Sequence, residues 1–164
     1  MTSSSDRQAA LELWQVLLNT SFSLRHSVRP IFTAHGLTGP QWRIFRMLGE
    51  RSGPGLTPGQ ISEALHVTPG NTTGVLDKLE EAGLVERHPH PDDRRALLIG
   101  LTERGVEVYR QVRPAFDRRV AELFSCLTED EKREMTAGLQ RLLQHVGPAR
   151  CGGRDEADGR GEGP

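Results

Sequence analysis

Five threonines divide this chain more sharply than any other feature. Thr38, Thr57, Thr68, Thr102 and Thr128 each stand just ahead of an apolar-periodic run. A threonine hydroxyl at an N-cap accepts a hydrogen bond from one of the orphaned backbone N–H groups of the first helical turn. Three of the five have the reciprocal partner three residues on, Gln41, Gln60 and Glu131, which completes a capping box. Two are followed at once by proline, Pro58 and Pro69, the favoured first helical residue. These marks predict five helices with fixed starts. A further helix, over residues 8–34, rests on periodicity alone. Leu11, Trp14, Leu18, Val28 and Phe32 recur at helical spacing, His35-Gly36 ends the run, and Pro30 is placed to kink it near its end.

The apolar positions give each helix an inward face. After Thr38 it is Trp42, Phe45 and Leu48; after Thr57, Ile61, Ala64 and Leu65; after Thr68, Val75, Leu79 and Ala82, with Gly83 closing the helix. That phase turns Gly70, Thr73, Gly74 and Asp77 outward. Two short helices joined by the tight turn Val67-Thr68 form a helix-turn-helix pattern. "LVERH" and "ALLIGL" read as strands with "PHPDDRR" as the loop between them. Two long helices follow. One carries Tyr109, Val112, Phe116, Val120, Leu123 and Leu127, the other Met135, Leu139, Leu142 and Val146, in steps of three and four. Together with the first helix they hold more apolar stripe than the small middle segment can cover. A helical dimer interface built from both chain ends would use it.

Composition narrows the function classes. With Lys+Arg 21 against Asp+Glu 22, the whole chain carries no nucleic-acid signal, so any basic surface must be local. Residues 38–102 alone hold seven Lys/Arg against eight Asp/Glu. Two cysteines, Cys126 and Cys151, support neither a disulfide framework nor a zinc site, and a reducing cytoplasm is the simplest compartment. The N-terminus lacks a basic segment followed by an apolar run, and no stretch approaches ~18 consecutive apolar residues, so neither a signal peptide nor a membrane span is expected. Residues 148–164 are rich in Gly and charge and are expected to form a disordered tail.

Two constellations could carry chemistry. In "HPHPDDRRAL", His88, His90 and Asp92 have the spacing of a metal-ligand run, as in a metal-dependent hydrolase. Such a site needs further histidines downstream and a larger β-rich scaffold, and only His145 follows. The same stretch also reads as a hairpin loop that places Arg94 and Arg95 against an anion. An arginine at such a tip can enter a minor groove, and Asp93 would pair with it or cap the turn. The second constellation is "TPGNTT". A helix entering the major groove exposes small and hydrogen-bonding residues at its N-terminus. Thr68, Pro69, Gly70, Asn71, Thr72 and Thr73 supply them, while Lys78 and Arg87 stand behind to neutralise phosphate. Taken singly, each of these is an ordinary surface residue; their order is what favours DNA.

"LTGPQWRIFRML" and "TPGQISEALHVTPGNTTGVLDKLEEAGLVERHPHPDDRRALLIGLTERG" together resemble the MarR family of winged helix-turn-helix regulators. The resemblance is dense over residues 37–105 and one of pattern in the flanking helices. It implies a mainly α fold with a small β wing: a winged helix-turn-helix lobe over residues 37–102, flanked by dimerisation helices over 1–36 and 103–147. It implies a recognition helix over 69–82, a wing over 84–101, Arg95 as the wing arginine and Asp93 as its orienting partner. The function implied is that of a ligand-responsive repressor, a homodimer on a near-palindromic operator in double-stranded DNA, with no enzymatic activity, metal or membrane partner. Family members often respond to small aromatic or phenolic acids held between the dimer helices and the DNA-binding lobe. Here Trp14, Arg25, His26, His35, Trp42 and Arg43 are the candidates for such an effector. Cys126 is not on the first helix, where the peroxide-sensing branch keeps its reactive cysteine. Two rival readings are the metal-dependent hydrolase and a winged-helix interaction module that no longer binds DNA.

Overall fold

The computed structural model describes residues 4–51, 53–91, 93 and 96–147. Its elements run α1 (Ser4–Thr33), α2 (Gly39–Gly49), α3 (Pro58–Leu65), α4 (Pro69–Glu81), β1 (Val85–Pro89), β2 (Leu97–Leu101), α5 (Glu103–Leu123) and α6 (Glu129–Val146). Asp92, Arg94, Arg95, Cys151 and the expected tail lie outside the described residues.

All five threonines cap the helices that follow them. Each has extended backbone, and each hydroxyl accepts from the N–H three residues on: Gln41, Gln60, Asn71, Gly105 and Glu131. The capping box is complete at Thr38, Thr57 and Thr128. The helix read over residues 8–34 starts earlier, at Ser4, and runs through Pro30 to Thr33. Pro30 has no N–H for the His26 carbonyl one turn earlier, so it costs the helix one internal bond in its last turn. Leu127, counted on the stripe of α5, falls in the turn before α6.

The core gathers Phe32 and Leu37 with Trp42, Ile44, Phe45 and Leu48 of α2, then Leu56, Ile61, Leu76, Leu79, Leu84, Val85, Ile99 and Val112. Trp42 is its hub. Its ring lies 5.6 Å from Phe32, 6.0 Å from Tyr109 and 5.3 Å from Phe116, so one indole ties α1, α2 and α5 together. Aromatic groups at these separations contribute beyond their buried area. Gly49 permits the approach of α5 to α2, because a Cβ there would meet the Tyr109 ring at 2.6 Å.

The hairpin pairs β1 antiparallel to β2 with Val85 opposite Leu101, Arg87 opposite Ile99 and Pro89 opposite Leu97. Leu56 adds a short third rung by exchanging both backbone bonds with Ile99, at 3.0 and 2.8 Å. Gly55, with φ +120°, makes that rung possible, since a Cβ would collide with the Ile99 carbonyl.

Two inward faces are rotated from the sequence expectation. Ala64 and Ala82 are exposed, and Ser62, Thr72 and Leu76 are buried in their place beside Ile61 and Leu79. Apolar character misled here because small alanines fit either face, whereas two hydroxyls buried against each other are satisfied only once α3 and α4 pack. At the chain ends the long helices remain uncovered. Leu11, Leu13, Trp14, Val16, Leu18 and Phe22 on α1 are exposed, as are Met135, Leu139, Leu142, Leu143 and Val146 on α6. No residue of α6 is buried. No described helix is long and apolar enough to cross a membrane.

Candidate nucleic-acid interface

The outer face of α4 is built from its N-terminus. Thr68 caps the helix, Pro69 occupies its first turn, and Gly70, Asn71, Thr73 and Gly74 are exposed beyond it. Positions that a Cβ would fill at Gly70 and Gly74 have nothing within 4 Å, so the backbone there stands open to a close neighbour. The Thr73 hydroxyl donates to the Pro69 carbonyl at 3.0 Å, which leaves its oxygen lone pairs free to accept. Lys78 is exposed one turn further along. The first-turn N–H groups and the helix dipole add a favourable field for an anion.

Two residues assigned to this face from sequence do not belong to it as read. Thr72 is 1% exposed. The Thr72 and Ser62 hydroxyl oxygens lie 2.8 Å apart, with the Pro58 carbonyl 2.9 Å from Ser62 Oγ and the Thr68 carbonyl 3.3 Å from Thr72 Oγ1, so two hydroxyl protons are shared among three contacts. Thr72 therefore locks α4 onto α3 instead of facing outward. Arg87 is not a free cation either. It pairs with Asp77, and its Nε lies 3.1 Å from Glu80 Oε2, an ion pair angled too poorly for a hydrogen bond. It clamps β1 to α4. Its charge is offset there, which leaves little for phosphate.

The hairpin loop begins after Pro89. His88 Nε2 is 3.1 Å from Glu86. His90 donates its backbone N–H to Ala96, and Ala96 donates to the Asp93 carbonyl, both at 3.0 Å, which closes the turn. Among the described residues no three His, Cys, Asp or Glu side chains are grouped to hold a metal ion. Asp92, the third member of the sequence-level metal run, lies outside them, as do Arg94 and Arg95.

A cavity of about 1250 Å³ opens between α1, α2 and α3. Val28, Phe32, Trp42, Met47, Leu65 and Phe116 form apolar parts of its wall. Of the effector candidates, Arg25, Trp42 and Arg43 line it; Trp14, His26 and His35 do not. His26 instead stacks on Phe22 at 6.4 Å, and Trp14 and His35 face outward. Sequence reasoning missed Arg29, Arg46 and Arg51, which share the wall. The Trp42 indole N–H is buried and has no acceptor among the described residues. At the far end of α2, Glu50 sits 3.6 Å from Arg46 and 3.3 Å from Arg113. Arg113 is held firmly protonated by Asp117 and by the Tyr109 hydroxyl.

Comparison with known proteins places this geometry. Residues 35–96 match the model of the MarR family. The chain is 30% identical over 139 residues to the uncharacterized HTH-type transcriptional regulator YkoM of Bacillus subtilis, covering 84% of this chain and 88% of that protein. Its fold superposes on the MepR–DNA complex of S. aureus with a TM-score of 0.73 at 26% identity, over 80% of this chain and 96% of that one. CouR from Rhodococcus jostii RHA1, solved with p-coumaroyl-CoA, shares the fold with a TM-score of 0.72 at 24% identity, over 77% and 88% of the two chains.

Proposed function

The chain belongs to the MarR family of winged helix-turn-helix transcriptional regulators, and from that premise we propose that it is a ligand-responsive repressor that binds a near-palindromic operator as a homodimer in the cytoplasm. The observation that carries the DNA reading is the outer face of α4. It presents a capped helix N-terminus, two glycines with open space above them, and the side chains of Asn71 and Thr73. Thr68, Pro69, Gly70, Asn71 and Thr73 enter the major groove; Lys78 neutralises phosphate behind them. Arg94 and Arg95 form the wing contact, with Asp93 orienting Arg95. The lobe over residues 37–102 carries these groups, and the helices of 1–36 and 103–147 join two such lobes. That MepR has been solved on DNA supports this use of the fold.

The effector, a small aromatic or phenolic acid, docks in the cavity beside α2, where Trp42 backs an apolar wall and Arg25 and Arg43 offer charge. CouR's structure with a coumaroyl thioester supports an acyl aromatic as the kind of molecule involved. Selection of bound sequences from a random DNA pool tests the reading. The expected product is a two-fold symmetric motif whose half-sites lie about one helical turn apart. Failure to enrich any sequence would reduce the protein to an interaction module with the same fold.

A further inference from the structure

The cavity is far more basic than a single carboxylate requires. Arg25, Arg29, Arg43, Arg46 and Arg51 line it, against two acids, Glu50 and Glu63. The acids do not cancel the excess. Glu50 is already shared between Arg46 and Arg113, the second of which stands outside the wall. Arg43 is held in place by the Leu65 carbonyl at 3.0 Å, and the Arg46 guanidinium lies 5.7 Å over the Phe116 ring. Arg25, Arg29 and Arg51 have no hydrogen-bond or ion-pair partner among the described residues. Arginines gathered at one concave surface repel one another, and that repulsion is relieved by an anion able to meet several of them. The guanidinium fork suits the oxygens of a phosphate or a carboxylate pair.

The shape supports the same conclusion. Ligand cavities commonly enclose roughly 300–1,000 Å³, and this one, at about 1250 Å³, has room well beyond one aromatic ring. Val28, Met47, Leu65 and Phe116 give it an apolar wall beside the arginines, backed by Phe32 and Trp42. We propose that the effector is an amphiphile carrying at least two negative charges, whose apolar body lies on the wall of Val28, Met47, Leu65 and Phe116 and whose dianionic head is met by Arg25, Arg29 and Arg51. This rests on the reading of the cavity as the effector site and narrows the class of molecule it takes. Phosphate esters and dicarboxylates share the required chemistry.

Four probes with one naphthalene body test the proposal by calorimetry: neutral 2-naphthol, the monoanion 2-naphthoate, and two dianions, 2-naphthyl phosphate and naphthalene-2,3-dicarboxylate. Both dianions are expected to bind at least tenfold more tightly than 2-naphthoate and to lose that advantage at high salt. Arg29→Ala and Arg51→Ala should remove most of it while leaving 2-naphthol binding unchanged, and Arg29→Lys should restore part of it. Tighter binding by the phosphate alone would keep the proposal and assign the head to a phosphate ester. Equal binding of monoanion and dianions would overturn it while leaving the cavity as an effector site. No binding by any probe would overturn both, and operator titration on the same preparation would still judge the DNA reading separately.

Discussion

Thr72 and Thr73 are neighbours of the same chemistry with opposite surroundings, and they separate the structural from the recognitive use of a hydroxyl. Thr72 is buried against Ser62, so Thr72→Val removes one internal hydrogen bond while keeping the volume. Ser62 retains the Pro58 carbonyl as an acceptor, so no buried donor is stranded. The expected loss is about 0.5–1.5 kcal/mol of stability with base preference unchanged. Thr73 is exposed, so Thr73→Ala should leave stability within about 0.5 kcal/mol and relax preference at one base pair by about 1–3 kcal/mol. Urea midpoints and sequence profiles of both variants decide. A changed profile for Thr72→Val, or an unchanged one for Thr73→Ala, would reverse the two roles. The same pair shows why the site was only partly legible. "TPGNTT" announces a helix start and hydrogen-bonding groups, which are local facts. Which threonine turns inward depends on Ser62, ten residues earlier and on another helix.

At the scale of elements, helix starts were the most legible feature, because a capping box is closed within four residues. Glu131 illustrates the physics. Its carboxylate accepts from the Thr128 backbone N–H at 2.8 Å and from the Thr128 hydroxyl at 2.9 Å, and these bonds hold its pKa below the ordinary 4.5. A lowered folded value means that ionised Glu131 favours the folded helix. Its contribution is complete above the ordinary glutamate value and is lost as pH falls through the lowered one. Glu131→Gln keeps an acceptor but no charge, so the variant should lose less stability than wild type on acidification from neutrality. Parallel denaturation curves across that range, with equal losses, would sink the point. The hairpin was legible in its strands, while its role depends on a sign. Deleting an acid near DNA should tighten binding by electrostatics alone. If Asp93 orients Arg95, Asp93→Ala should instead weaken binding, since re-ordering a freed arginine costs about 0.5–1.5 kcal/mol. Titrating wild type and variant against one operator at one salt concentration distinguishes the two. Least legible was the arginine-lined cavity. Arg25 stands on α1 and Arg51 just past the end of α2, and only the packing of α1 on α2 brings their neighbourhoods together.

The whole molecule is governed by apolar surface that the described residues leave uncovered. Phe22 on α1 is 68% exposed and Val146 on α6 is 70% exposed, and each lies in a run of exposed leucines. Contiguous patches of this kind are rare on monomers. A stable pairing needs roughly 1,200–2,000 Å² of buried surface, and two long helices from each of two copies can supply it. Because no α6 residue is buried within its own chain, charge can be placed on that helix without disturbing the core around Trp42. Leu139→Glu combined with Leu142→Glu should therefore yield a folded monomer, seen as a single slow boundary in sedimentation velocity with its aromatic circular dichroism retained. Wild type should sediment as a dimer at the same concentration. The variant should also lose operator affinity by about a hundredfold or more, since the second half-site contact no longer acts at high effective concentration. Binding to an isolated half-site should change little, because α4 and the hairpin are untouched. A wild-type protein that sediments as a folded monomer at about micromolar concentration would remove the dimer. It would also remove the expectation of a two-fold operator, which requires paired recognition helices about one helical turn apart.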